Sequence, residues 1–160
     1  MARPGRLLLA LVTAALGAAA AGAWPFCGLA GPALVVTEAR SGRVLLFERA
    51  APGTRFTLSY FHSVSRTRVS GVFEIARDGR LIVRETSFGT FGPGLPELGP
   101  GDRYELKGGA IRQYSLDQPL SELSFFVHPY TEHRVEVAGR ALYLSGSLPA
   151  GTLVRISVRR

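Results

Sequence analysis

Apolar and polar side chains alternate at period two along run after run of this chain, and most runs stop at a glycine- or proline-bearing break. That pattern describes a strand with one buried and one wet face, and it leaves little room for helix. From Phe56 the even positions Phe56, Leu58, Tyr60, His62 and Val64 form the apolar set, and the odd positions Thr57, Ser59, Phe61 and Ser63 the other, polar but for Phe61. Val69, Gly71, Phe73 and Ile75 carry the same face back after a turn expected at Ser65–Thr67. Asp78-Gly79 then offers a tight hairpin, because glycine accepts the positive φ such turns need. Leu81–Thr86 follows as the third strand of the meander.

Similar short runs surround this stretch. Ala33–Glu38 and Arg43–Glu48 form a first hairpin through Arg40-Ser41-Gly42, and His133–Val137 and Ala141–Leu144 a later one through Ala138-Gly139-Arg140. Tyr104–Leu106, Ile111–Leu116, Glu122–Val127 and Leu153–Val158 complete the set. The nearest helical candidate, Asp117–Ser124, is short and carries Pro119 early. The expected fold is all-β: an antiparallel β-sandwich or small barrel of about nine or ten short strands, as one domain over 33–160.

The first residues are of a different kind. Arg3 and Arg6 precede an uncharged apolar run, Leu7–Ala20, and Ala21-Gly22-Ala23 has the small-x-small form that a signal peptidase accepts. A signal peptide over 1–23 is expected, with cleavage near Ala23 and a lead-in segment over 24–32; an uncleaved membrane anchor is the rival. A periplasmic or other extracytoplasmic location is expected after cleavage, and a membrane-anchored one if the segment stays. Cys27 is the one cysteine, which excludes an internal disulfide, and the bulky Trp24-Pro25-Phe26 before it disfavours a lipoprotein site. The formal charge of +7 comes almost wholly from scattered arginines, with no basic run interleaved with aromatics, so nucleic acid is not an expected partner.

Few residues point to chemistry. His62 is the leading candidate, at the end of an apolar face. Pairing it with Gly71 would leave a gap beside the imidazole. A three-residue Arg77-Asp78-Gly79 loop would put Gly71 opposite Glu85, so that His62 and Glu85 flank that gap; a two-residue Asp78-Gly79 turn would point Glu85 away. Ser63 follows His62 directly and faces the other way, which rules out a nucleophile–base pair within one strand. The loop Gly92–Gly101, GPGLPELGPG, either presents N–H groups of Gly92, Gly94 and Leu95, next to Pro96, to a ligand or covers a sheet end. His128, Glu132 and His133 could gather around zinc in a loop, although Pro129 prevents the helical spacing of a metalloprotease pair.

Tyr60-x-His62-Ser63-Val64, Glu85-x-x-Phe88 and Gly92-x-Gly94-Leu95-Pro96, with Thr131-x-His133 as a weaker echo, resemble the bacterial family DUF1850, a domain of unknown function. Pro93 departs from the Gly-Ala-Gly expected in that loop. The resemblance implies a small exported protein, often encoded beside TRAP-type transporters of the TAXI kind. It points to an accessory or solute-binding role without enzymatic activity or cofactor, with a transporter component or a small solute as partner. The alternatives are a small metal-dependent hydrolase of the cell envelope using His128, Glu132 and His133, and an envelope scaffold that would show no pocket near His62.

Overall fold

A computed structural model describes residues 31–92, 95 and 97–160. The expected signal segment 1–23, its cleavage at Ala23, Cys27, most of the lead-in 24–32, and Gly94 and Pro96 of the loop lie outside the described residues. The strands are β1 (Ala33–Glu38), β2 (Val44–Arg49), β3 (Arg55–His62), β4 (Thr67–Ile75), β5 (Leu81–Phe88), β6 (Arg103–Lys107), β7 (Ala110–Leu120), β8 (Leu123–Val127), β9 (Arg134–Val137), β10 (Arg140–Tyr143) and β11 (Thr152–Arg159). A 3₁₀ turn, Pro129–Thr131, links β8 to β9.

Two antiparallel sheets result. One has the order β2-β1-β11-β8, the other β10-β9-β3-β4-β5-β7-β6. The sheets remain separate, so the fold is an open sandwich and not the barrel that the strand pattern equally allowed. Asp117–Ser124 is extended, not helical: β7 runs through it to Leu120. Pro119 is tolerated there because β6 stops pairing at Arg103↔Tyr114, leaving the rest of β7 as a free edge among the described strands.

The inward positions of both sheets meet in one main core. Leu34 and Val36 of β1 and Val154 and Ile156 of β11 face Phe56, Leu58, Phe73, Ile75, Val135 and Val137 of the larger sheet. Phe56 and Phe73 are opposed across the β3–β4 ladder, and their rings stack at 5.1 Å. Each such side chain contributes about 2–3 kcal/mol by leaving water. A second, smaller core of Val69, Phe88, Leu95 and Ile111 fills the other end of the larger sheet, with Tyr60 and Leu98 packed on it.

Two registers differ from expectation. His62 pairs with Thr67, Tyr60 with Val69 and Leu58 with Gly71, so the β3–β4 loop is Ser63–Arg66, earlier than Ser65–Thr67. Arg66, at φ 54°, closes it by donating its N–H to His62 O at 2.8 Å. The shift is by two positions on each strand, so every side chain keeps its expected face. The second departure does change a face. Arg77-Asp78-Gly79 is a three-residue loop, closed by Ala76 N–H to Arg80 O at 2.9 Å, with Gly79 at φ 76°. Ile75↔Leu81 and Phe73↔Val83 follow, but the next pair is Val72↔Glu85. Arg84 is the extra residue of a β-bulge, which turns Glu85 over to the outer face.

Candidate functional site

The bulge separates the two residues that the strand pattern brought together. Glu85 lies on the outer face, where Arg112 donates to it at 2.7 and 2.9 Å and also reaches Glu105. Its neighbours there, Arg84 and Arg55, share Glu74, and those hydrogen bonds hold the Glu74 carboxyl below its usual range. His62 is on the inner face. Gly71 leaves no gap beside it: a Cβ at Gly71 would stand 2.8 Å from the Phe73 ring, which occupies that space.

The loop after β5 acts through Leu95. Gly92 O accepts the Leu95 N–H at 3.0 Å, and the Leu95 side chain is buried against Val69, Phe88 and Ile111. The described part of the loop is a cover over the second core. It adjoins the histidine region through Tyr60, which packs on that core and stands 6.4 Å, ring to ring, from His62.

His128, Glu132 and His133 do not converge. His128 accepts the Tyr130 N–H at the start of the 3₁₀ turn and stacks on the Tyr130 ring. Glu132, in the left-handed conformation at φ 46°, pairs with Arg68 at 2.5 Å. His133 enters the core. Among the described residues no three His, Cys, Asp or Glu side chains are grouped to hold a metal ion.

His133 is the residue around which a site forms. It is 5% exposed. Its position just before β9 places it on the inner face, beside Tyr60 of β3, and its ring stacks on Tyr60 at 5.2 Å. From the opposite sheet, Phe125 of β8 stacks on its other face at 4.8 Å. Burial pushes the imidazole down to about 4, so it is neutral at pH 7. The hydrogen bonds choose its tautomer. Thr131 Oγ1 donates its one proton to His128 O at 2.7 Å and accepts the His128 N–H at 3.1 Å. With that proton on His128 O, the 2.7 Å contact between Thr131 Oγ1 and His133 Nδ1 is donated by Nδ1–H, which leaves Nε2 with a lone pair.

His62 has the complementary arrangement. Ser65 donates its backbone N–H to His62 Nδ1 at 3.2 Å, and Ser65 Oγ lies 3.1 Å from the same nitrogen. Nδ1 is therefore the acceptor, which puts the ring proton on Nε2. Both histidines line a cleft of about 290 Å³, walled by Leu58, Tyr60, Phe61, Phe125 and Phe126, with Ser63 and Thr131 as its other polar members. Among the described residues no Arg, Lys, Asp or Glu lines it. Burial also raises the Tyr60 phenol, so this wall too is uncharged at neutral pH. The sequence singled out His62 and His133 but not their partners Tyr60, Phe125 and Thr131. Tyr60 and Thr131 stood in the short motifs; Phe125 had no signal beyond strand alternation.

The family described as Domain of unknown function (DUF1850) matches residues 56–144. Every residue lining the cleft falls within that span, whereas β1, β2 and β11 lie outside it. No curated protein and no solved structure matches the chain.

Proposed function

The chain belongs to the DUF1850 family, and on that footing we propose that it is a non-enzymatic binding domain acting outside the cytoplasm, which takes a small solute in the cleft between His62 and His133 as an accessory to a TAXI-type TRAP uptake system. One observation carries the reading: a buried imidazole, clamped between rings from both sheets, has its tautomer set by Thr131 and forms part of the wall of an apolar cleft. An apolar concavity with a few convergent polar atoms is the usual form of a small-molecule site. The signal-like leader supports export, and the gene surroundings implied by the family resemblance support the uptake system. A scaffold role predicted no pocket beside His62, and the cleft weighs against it. A hydrolase built on His128, Glu132 and His133 would need those side chains to leave Tyr130, Arg68 and the ring stack.

Native mass spectrometry of protein purified from its own compartment, with and without mild crosslinking, tests this. A stoichiometric small-molecule adduct or a crosslinked transporter subunit is expected. Protein that carries neither overturns the proposal.

A further inference from the structure

Deepening that reading and resting on it, we infer that the cleft takes an uncharged molecule of about ten non-hydrogen atoms, with an aromatic or compact apolar body and a hydroxyl or amide group that donates one hydrogen bond and accepts another. The size follows from the volume: about 290 Å³ equals the share of about ten waters in the liquid.

The polarity follows from the tautomers. With Nδ1 of His62 occupied by Ser65 and Nδ1 of His133 by Thr131, each ring has one polar atom left. On His62 that atom is an N–H donor; on His133 it is a lone-pair acceptor. Neither Nε2 has a hydrogen-bond partner among the described residues. A hydroxyl or amide carries both complements, an acceptor for the His62 N–H and a donor for the His133 lone pair. A carboxylate cannot, because it has nothing to donate to His133 and finds no cation among the lining residues. An ammonium group donates to His133 but sets a charge against apolar walls with no carboxylate among the described lining residues. The faces of His133 are covered by Tyr60 and Phe125, so the solute meets this ring at its edge and rests its apolar part on the remaining walls.

The chain has three histidines, and the third, His128, lies outside the cleft lining. Side-chain imidazole NMR of the purified protein therefore gives two reporters and an internal reference. The probes are p-cresol, p-toluate and toluene, which share one ring and differ in the polar group. With p-cresol, His62 and His133 signals are expected to shift together while His128 stays still, at a dissociation constant at least tenfold below those of p-toluate and toluene. If p-toluate binds as tightly as p-cresol, the uncharged class is wrong while solute binding at the cleft stands. If toluene matches p-cresol, the two ring nitrogens take no part and the inference also fails. If none of the three moves His62 or His133 while the same spectra show an intact fold, both the inference and the binding reading fall.

Discussion

The ring of Phe125 lies 4.8 Å from the imidazole of His133 at an interplanar angle of 12°, and this contact joins one sheet to the other. An ionised imidazole would be held there at a cost, since burial alone brings the group down to about 4 from 6.5. Between those values the unfolded chain binds more protons than the folded one, so stability rises with pH across the window. The contribution is complete above about pH 6.5 and is lost as the pH falls toward 4, amounting to about 3 kcal/mol in full and about 2 kcal/mol between pH 7 and 5. Urea midpoints at pH 7 and pH 5 should show this loss. His133→Phe, which keeps a ring in the stack, should flatten the difference, and an unchanged slope in that variant would assign the pH dependence to other groups.

Thr131→Val should destabilise the fold by about 1–3 kcal/mol, because the His128 N–H and the His133 Nδ1–H lose their common acceptor. It should also free the tautomer of His133. Long-range nitrogen-proton correlation spectra would show a mixed Nδ1–H and Nε2–H population where the parent shows one form.

Gly71→Ala should cost about 1–3 kcal/mol, measured by denaturant unfolding. The added Cβ would meet the edge of Phe73 at 2.8 Å, and Phe73 cannot swing aside because it is stacked on Phe56 in the core. A neutral result would mean that β4 has room to shift, contrary to the packing described.

Glu85→Ala should leave p-cresol binding unchanged, since Glu85 and the cleft lie on opposite faces of the sheet. Its effect on stability should stay under about 1 kcal/mol, as for other solvent-reached ion pairs. A tenfold loss of binding would place Glu85 back beside His62.

Leu95→Ala should cost about 2–4 kcal/mol in thermal or urea unfolding, an unusual penalty for a residue in a glycine- and proline-rich loop. The reason is its seat on Val69, Phe88 and Ile111, which makes the loop part of the core.

The alternation of Phe56–Ile75 and the spacing of glycine turns made the sandwich legible, because they follow from local chemistry that each strand carries by itself. The inner placement of His62 was legible for the same reason. Its partner was not. Counting residues from the Arg77-Asp78-Gly79 loop puts Glu85 opposite Gly71, and only the bulge at Arg84 reverses that; nothing in Val83-Arg84-Glu85 announces a bulge, since Arg84 is held by Glu74 and Asp117 on the two flanking strands, outside the segment itself. The histidines of the His128–His133 segment suggested a metal because both are ligand types at close spacing. His128 instead serves its own turn through Tyr130, and the role of His133 depends on rings supplied by β3 and β8, which no local reading of the segment contains.

Beyond Tyr114 the seventh strand keeps β5 on one side but has no described neighbour on the side that β6 leaves, and Asp117 and Pro119 lie along that rim. A second molecule that tried to lay its own backbone against this rim would meet a carboxylate and then a residue with no hydrogen to give. The longest strand of the domain thereby ends in a segment poorly suited to templating a polymer, which favours a protein that stays dispersed when crowded.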